Sequence, residues 1–316
     1  MTGPAVFDLS QPFQLNAGLV RGRLVRIERA LDAILTPHAY PPAIAALMGQ
    51  TVALAAALAG ALKFDGIFTL QAQASGPVSL LVADVTSTGH LRGYARFDPS
   101  RLTPEDLANP ALPAPIDTLM GKGHLAFTID QGPNTDRYQG IVELIGPTLA
   151  HSALAYFKQS EQLDTAVELA AAQGADGRWR AAALSISKMP AGSKGGPILT
   201  AMESEDSWRR ATLLTSTVGA SELLDPGLAP DRLLFRLFHQ EDLQCFDPKH
   251  LEAKCRCSRD RIASTLRTIP RGEIESLVDE SGNVTVTCEF CQTVYAFDPQ
   301  DIELVYNPPV HHHAPR

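Results

Sequence analysis

The chain has 316 residues, of which 45% are apolar, and its formal net charge at pH 7 is −8. This length predicts one large domain or two to three small ones, with enough apolar residues for a sizeable core. The acidic balance argues against a broad surface that binds nucleic-acid phosphates. Residues 1–14 lack a basic stretch followed by an apolar stretch, so the sequence predicts no secretory signal peptide.

The N-terminal part of the chain mixes strand and helix patterns. Apolar and basic side chains alternate in 20–27, as they do in a half-exposed strand. Because no regular strand–helix–strand period is visible, we predict a large α+β domain over residues 1–193, in which sheet and helix are mixed. The other predicted elements are strands at 66–73, 78–83, 91–97, 123–130, 138–144, 165–169 and 179–186, and a helix at 149–157.

The most apolar run in the sequence extends from Ala43 to Leu62 and is rich in alanine. Its larger side chains recur at near-helical spacing, and the run is interrupted by Gly49, Gln50 and Thr51. This pattern favours a helix buried in a protein core over a membrane span. We therefore expect no membrane partner.

The next segment is predicted to be a helical linker. Gly192–Pro197 is rich in glycine but lacks the spacing of a phosphate-binding loop, so we interpret it as a domain end. Helical patterns follow at Glu203–Leu224 and at Pro230–Phe238, and the second is apolar nearly all round. We predict a metastable linker over 194–250 that folds only while a partner surface covers it, and we expect the C-terminal module to be that surface.

Four of the five cysteines form two close pairs, Cys255-Arg-Cys257 and Cys288-Glu-Phe-Cys291. Four soft thiolates suit a closed tetrahedral Zn²⁺ site, so we predict one Zn²⁺ per reduced chain, bound by all four sulfurs. The thirty residues between the pairs are enough for a helix and a hairpin. We assign residues 251–305 to this zinc module and 306–316 to a tail.

The charge of the module distinguishes it from nucleic-acid-binding zinc proteins. Residues 251–305 contain six lysines and arginines against ten aspartates and glutamates, a net charge of −4. A nucleic-acid-binding zinc ribbon normally has the opposite balance. We expect no nucleic-acid partner.

The residues alone leave the fate of the four thiols open. A disulfide within C-x-C would be strained and easily reduced, whereas a C-x-x-C pair readily forms a redox disulfide. Lys254, Arg256 and Arg259 flank the first pair and would favour its thiolates. A purely structural zinc site, a redox switch and a thiol–disulfide oxidoreductase remain alternatives, although the sequence has neither a thioredoxin-like context nor another catalytic motif.

Two strings in the module resemble the C-terminal redox switch of the heat-shock protein 33 family, the bacterial redox-regulated holdase chaperones. They are Cys-Arg-Cys-Ser-Arg-Asp-Arg and Val-Thr-Cys-Glu-Phe-Cys-Gln-Thr-Val-Tyr-Ala-Phe. Strings at 62–66, 91–96 and 138–144 are also similar to the family, so the resemblance covers residues 17–305. Ala182–Pro190 departs from the family pattern, in which a Gly-Gly pair and a glutamine are usual. Residues 1–15 are interpreted as an extension without an assigned role.

The resemblance implies a non-enzymatic, ATP-independent chaperone of the cytoplasm that oxidation switches on. It implies that the reduced protein holds Zn²⁺ through the four cysteines, and that oxidation releases the metal and forms the disulfides Cys255–Cys257 and Cys288–Cys291. It also implies that the active form captures unfolding client proteins and is a homodimer.

Three further features receive no functional role from the sequence. Cys245 is expected to be a small, buried residue rather than a redox thiol. His250 is not needed as a ligand, because four cysteines already complete a tetrahedron. His311–His313 are expected to have no function.

Overall fold

The computed structural model describes residues 6–104, 116–132, 135–160, 162–189 and 201–307. Contacts within the chain divide it into two compact units, Met1–Lys254 and Cys255–Arg316. Sheets and helices are mixed, which confirms the predicted α+β class. Gly192–Pro197 and His311–His313 lie outside the described residues. The division into core domain, linker and redox module stays a prediction about which segments unfold together.

The first unit contains two six-stranded sheets. The bounds of their strands are β1 Leu9–Leu15, β2 Val20–Ile27, β3 Ile67–Ala74, β4 Val78–Thr86, β5 His90–Phe97, β6 Gly123–Asp130, β7 Tyr138–Glu143, β8 Thr165–Gln173, β9 Trp179–Lys188, β10 Gln244–Cys245, β11 Lys249–His250 and β12 Glu252–Ala253. The first sheet has the order β10–β1–β2–β9–β8, and β11 also pairs with β1. The second sheet has the order β12–β5–β4–β3–β6–β7, in which β12 and β5 are parallel.

The helices described in this unit are α1 Arg29–Leu35, α2 Pro42–Ala61, α3 Ile116–Leu119, α4 Leu149–Ser160, α5 Ala201–Ser216, α6 Ala220–Leu223 and α7 Pro230–Phe238. All the strands predicted between residues 20 and 186 are present, with ends that shift by at most four residues. The helical patterns of the predicted linker correspond to α5, α6 and α7, which we call the linker helices.

Both faces of the first sheet are buried, because its central strands carry apolar residues at odd and even positions alike. In β9, Ala181 and Ala183 pack in one cluster with α2, whereas Leu184 and Ile186 pack in a second cluster with the linker helices. Successive side chains of a strand point to opposite faces. The sheet therefore lies between α2 and the linker helices, and α2 in turn contacts strands of both sheets.

α2 is the one helix among the described residues that is long and apolar enough to cross a membrane by length and composition. In its most apolar window, 94% of the residues are buried inside the protein, which confirms the predicted core helix. Small side chains allow this close packing between two sheets. A Cβ added to Gly49 would lie 3.1 Å from the Cβ of Ala171 on β8.

The interpretation of residues 1–15 as an extension is wrong for Leu9–Leu15. These residues form β1, which pairs with β2 along its whole length and with β10 and β11 on its other edge. The apolar side chains Phe13 and Leu15 are buried in the cluster with the linker helices. The family departure at Ala182–Pro190 falls largely within β9, where the backbone is a regular strand to Lys188.

The segment Gln244–Lys254 follows the linker helices in the sequence and precedes the first cysteine pair. We call it the strap. Its first two strands pair with β1 in the first sheet, and its third pairs with β5 in the second sheet. Each of these strands has only two residues. Leu251 is the strap's buried anchor in the main core. Each paired stretch of the strap is therefore short, and side-chain hydrogen bonds such as that from Lys249 to the Ser87 carbonyl add to the pairing.

The surface that covers the linker helices within the first unit is the first sheet. Four residues of α7 are buried in the cluster that includes Phe13, Leu24 and Leu184 of the sheet. The four are Leu233, Leu234, Leu237 and Phe238. Each such burial contributes roughly 1.5–3 kcal/mol. Within the first unit the sheet thus provides a cover that the sequence did not predict, and the role expected of the C-terminal module stays a prediction.

A buried arginine of β2 holds the turn between α6 and α7. Arg26 is fully buried, and its guanidinium donates to the carbonyl oxygens of Leu223, Asp225 and Leu228. Burial lowers the pKa of Arg26 to about 10, and the negative charge of Asp225 acts in the opposite direction. The side chain therefore stays charged at neutral pH. Its position on the same face as Leu24 follows from the two-residue period of the strand.

A second polar contact joins the linker helices to the β1–β2 turn. The Asn16 amide nitrogen donates to the Ser207 hydroxyl on α5 (2.6 Å) and to the Glu241 carboxylate (2.8 Å). Arg210 on α5 also donates to Glu241 (2.9 Å), whose side chain is buried. The linker helices are thus held by an apolar cluster and by two polar anchors. Arg26 binds the turn before α7, and Asn16 binds Glu241 after it.

We predict that Arg26→Met loosens the linker helices. The substitution leaves three carbonyl oxygens without their donor, and each buried acceptor left unsatisfied costs about 1–3 kcal/mol. Hydrogen exchange followed by mass spectrometry should show faster exchange in 220–238, and urea unfolding should show a lower midpoint.

Arg232→Met is the matched control, since Arg232 lies on α7 with an exposed side chain. It should change stability by less than about 0.5 kcal/mol. Equal exchange in both variants would show that Arg26 does not anchor the turn.

Candidate metal centre

The second unit is small and contains three helices and one hairpin among its described residues. Their bounds are α8 Arg259–Leu266, α9 Arg271–Glu275, β13 Val284–Thr287, β14 Val294–Phe297 and α10 Pro299–Tyr306. Six residues form its buried apolar cluster: Leu266, Ile274, Val284, Phe297, Ile302 and Val305. A core of this size gives little stability without a crosslink or a metal.

The first cysteine pair lies directly before α8. Ser258 is the N-cap of this helix, and its hydroxyl accepts from the backbone N–H of Arg261 (3.3 Å). The Arg261 guanidinium donates back to the carbonyl oxygen of Arg256, between the two cysteines (2.8 Å). The start of the helix therefore fixes the backbone that carries Cys255 and Cys257.

The second pair lies in the turn of the β13–β14 hairpin. The Cys288 N–H donates to the Thr293 carbonyl (3.0 Å), and the Gln292 N–H donates to the Cys288 carbonyl (2.8 Å). Gln292 has a left-handed φ of 55°, which closes the turn. The spacer between the pairs thus contains two helices, and the expected hairpin surrounds Cys288 and Cys291 instead of preceding them.

All four sulfurs lie within 4.8 Å of one another. The Sγ atoms of Cys255 and Cys288 are 3.7 Å apart, and those of Cys257 and Cys291 are 3.4 Å apart. A regular tetrahedron with Zn–S bonds of about 2.3 Å has sulfur–sulfur edges of about 3.8 Å. The four cysteines are free thiols with partly buried side chains, and their geometry is compatible with a zinc site.

The electrostatics of the cluster also suit a cation. Burial raises the pKa of the Cys257 thiol to about 12 and raises that of Cys288. Burial acts in the same direction on Cys291, but hydrogen bonds with Thr293, Cys257 and Cys255 together lower the pKa of this thiol to about 7. Four thiolates this close repel one another, and a divalent cation would relieve that repulsion.

Two residues beside the sulfurs were missed by sequence reasoning. The Tyr295 hydroxyl donates to the Cys257 sulfur (3.2 Å), and this contact raises the pKa of the tyrosine to about 12. The Thr293 hydroxyl lies 3.2 Å from the Cys291 sulfur. Alternation along a strand could have indicated both, because positions 293 and 295 share a face.

Arg259 does not serve the thiolates as expected. Its guanidinium stacks over the Phe297 ring and donates to the Ala296 carbonyl (2.8 Å) and to the Asp301 carboxylate (2.5 Å). It therefore joins the first turn of α8 to the end of the hairpin and the start of α10. Its contribution is structural.

The fifth cysteine and the flanking histidine belong to the first unit. Cys245 pairs with Phe13 in the sheet, and the expectation that it is buried is wrong, since the residue is exposed. Partial burial and the charge of Asp231 raise the pKa of its thiol. His250 pairs with Leu9 on the same edge of β1. Neither belongs to the four-sulfur cluster.

Comparison with known proteins identifies the family. Residues 8–298 match the model of the family described as Hsp33 protein. The chain belongs to the Hsp33 family. A 33 kDa chaperonin of Caulobacter vibrioides (strain NA1000 / CB15N) is 40% identical over 297 residues, which are 92% of this chain and 95% of the relative. A 33 kDa chaperonin of Ectopseudomonas mendocina (strain ymp) is 40% identical over 300 residues, 95% of each chain.

The fold is shared with a solved Hsp33 structure. The crystal structure of the 33 kDa chaperonin (heat shock protein 33 homologue) of Thermotoga maritima superposes with a TM-score of 0.74 at 21% identity. The match covers 95% of this chain and 98% of the other. The Hsp33 fold therefore extends over both sheets, the linker helices and the four-cysteine unit.

We predict that Tyr295→Phe weakens zinc binding by about 10–100-fold, the range usual for the loss of a hydrogen bond to a metal ligand. Competition with a chromogenic chelator on reduced protein measures the affinity. Val294→Ala is the control, because Val294 is the neighbouring residue of β14 and is 60% exposed. Equal affinities in the two variants would remove Tyr295 from the site.

Proposed function

We propose that this Hsp33 protein is a redox-regulated, ATP-independent holdase that binds unfolding proteins after oxidation of Cys255, Cys257, Cys288 and Cys291. The observation that carries the proposal is the convergence of the four free thiols within 4.8 Å of one another. The family assignment supports the chaperone function. The protein is proposed to act without catalysing a reaction on its clients.

In the reduced state the four cysteine side chains act as thiolate ligands in the arrangement described above. When bound, one Zn²⁺ per chain supplies the positive charge and the crosslink between the two pairs, and structural zinc contributes on the order of 10–16 kcal/mol to folding in small peptides. The Tyr295 and Thr293 hydroxyls orient the sulfurs of Cys257 and Cys291. A reducing cytoplasm would keep these thiols free.

Oxidation converts the ligands into disulfides. Each disulfide forms as two thiolates lose two electrons, and one hydrogen peroxide accepts these electrons and two protons from solvent to give two molecules of water. The family resemblance gives Cys255–Cys257 and Cys288–Cys291 as the pairs. In the reduced geometry the sulfurs of Cys255 and Cys288 also lie close, at 3.7 Å, so the pairing has to be tested.

Loss of the thiolate ligands would unfold the second unit, because six buried residues are a small core for it. The unfolded chain would then begin at Cys255, directly after the strap. The strap is held by strands of two residues, so local unfolding would spread into it from this end. The linker helices would lose the strap that follows them.

Two orphan hydroxyls fit the proposed metastability of the linker helices. The side-chain oxygens of Thr212 and Thr215 on α5 are buried without a hydrogen-bond partner. Buried hydroxyls without a partner cost roughly 1–3 kcal/mol each. Release of the linker helices would return these groups to water and would expose the apolar face around Phe13, Leu24 and Leu184.

We infer that clients bind to this face and to the apolar residues of α7, since large exposed apolar patches mark interaction sites. The active form is proposed to be a homodimer. A thiol–disulfide oxidoreductase is not favoured, because the C-x-x-C pair lies in a hairpin turn and not at the start of a helix that follows a strand.

We predict that peroxide with mild heat converts the protein from inactive to active in suppressing the aggregation of a thermally unfolding client. One Zn²⁺ per chain should be released, and peptide mapping should find Cys255–Cys257 and Cys288–Cys291. Cys245→Ser should activate like wild type. A dominant bridge between the two motifs would contradict the local pairing, and activation without metal release would contradict the switch.

We predict that Leu234→Asp gives chaperone activity without oxidant, because an unpaired charge under α7 costs on the order of 3–5 kcal/mol. Phe235→Asp is the matched control on the adjacent residue, which is 63% exposed. Hydrogen exchange should be faster in 201–238 only in the first variant. If exchange rises without activity, the clients bind elsewhere.

A further inference from the structure

A cavity beside the strap lies apart from the cysteine cluster and the linker helices. Its volume is about 270 Å³, and it lies between β2, the C-terminal end of α2, the β4–β5 turn and the strap. Two of its lining residues are cations, Arg23 on β2 and Lys249 on the strap. No aspartate or glutamate is among the described residues that line it. In a chain with a net charge of −8, this is an unusual concentration of unpaired positive charge.

The guanidinium of Arg23 is only partly used. One terminal nitrogen donates to the Ser10 hydroxyl (3.2 Å), and the other donates to the Gly60 carbonyl at the end of α2. The Nε atom is buried without a partner, and Gly60 packs against it, since a Cβ there would lie 2.5 Å from Nε. Each terminal nitrogen carries two N–H groups, so one N–H on each remains for a ligand.

The ammonium of Lys249 is also only partly used. It donates to the Ser87 carbonyl, which leaves two of its three N–H groups. Asp65 does not line the cavity, but its carboxylate accepts a hydrogen bond from the hydroxyl of the lining residue Ser87 (3.0 Å). Partial desolvation and the nearby charge of Arg23 lower the pKa of Lys249, and burial lowers the pKa of Arg23. The two cations therefore repel each other without a carboxylate between them.

We propose that this cavity binds a small oxyanion, with a phosphate monoester as its chemical class. Arg23 and Lys249 would bind the phosphoryl oxygens, because a guanidinium and an ammonium provide charge-assisted hydrogen bonds and match its charge of about −2. The Ser10 and Thr86 hydroxyls line the same space. The volume is at the lower end for ligand pockets and fits a small molecule.

The apolar part of the lining favours an ester over free phosphate. It consists of Ala56, Ala59, Leu62, Phe64, Val85 and Leu251. Apolar surface of this kind would pack against a small organic group on the phosphate. Leu251 is also the buried anchor of the strap, so the ligand would contact the strap at both Lys249 and Leu251.

Calorimetric titration of the reduced full-length protein with phenyl phosphate, at ionic strength matched with sodium chloride, tests the proposal. We expect saturable binding of one equivalent, and weaker binding of inorganic phosphate. Lys249→Met should weaken binding by at least about tenfold, which corresponds to the loss of one charge-assisted hydrogen bond. Lys249 is an exposed residue, so this variant is expected to fold.

Lys158→Met is the control, since Lys158 is exposed on α4 and does not line the cavity. It should bind like wild type. Absence of saturable binding, or equal binding by the Lys249 and Lys158 variants, would overturn the site. Equal affinity for phenyl phosphate and inorganic phosphate would overturn the ester as the ligand class.

Binding of phenyl phosphate in the cavity should also stabilise the strap in the reduced protein. Amide exchange at 249–251 should slow with phenyl phosphate in wild type and not in Lys249→Met, and unchanged exchange in wild type would contradict the contact with the strap. One consequence rests on the proposed function: the ligand should delay activation by peroxide. Because binding is measured on reduced protein without a client, failure of the holdase proposal would leave this site intact.

Discussion

The structure of the first unit depends on the need to cover both faces of its first sheet. The central strand β9 is buried along Arg180–Ile186, and its side chains alternate between α2 on one face and the linker helices on the other. The cover by α2 belongs to a continuous core between two sheets. The cover by the linker helices contains a buried arginine, a buried carboxylate and two orphan hydroxyls. The satisfied arginine and carboxylate fix where the linker helices dock on the sheet.

This asymmetry is suited to a protein that stores a binding surface. Polar anchors such as Arg26 make the docking of the linker helices on the sheet specific, because their hydrogen bonds are satisfied in one arrangement. Partial undocking would leave buried polar groups unsatisfied, so the linker helices are expected to leave the sheet together. The sheet beneath remains supported from its other face by α2. The first unit could therefore expose an apolar face without losing its fold, which is the property that the proposed holdase requires.

The second unit differs from the first, because it has only a small apolar core beside its four-sulfur cluster. Its apolar core has six buried residues, and two segments separated by thirty residues meet at the cysteines and around this core. We therefore expect folding of the unit to be linked to the chemical state of the thiols. The strap connects this four-cysteine unit to the linker helices through short strands, and the cavity beside Lys249 offers a separate point at which a ligand could act.

The sequence by itself determined the α+β class, most strands, the core helix and the four cysteines that meet, because strand alternation, helical spacing and paired thiols are local patterns. It did not determine what covers α7, since an apolar helix face does not specify its partner, and the partner is the sheet of the same unit. The pairing of β1 with β10 and β11, the exposure of Cys245 and the meeting of Arg23 with Lys249 at the cavity join residues more than two hundred positions apart. Such contacts are decided by tertiary packing, which the order of residues along one segment does not reveal.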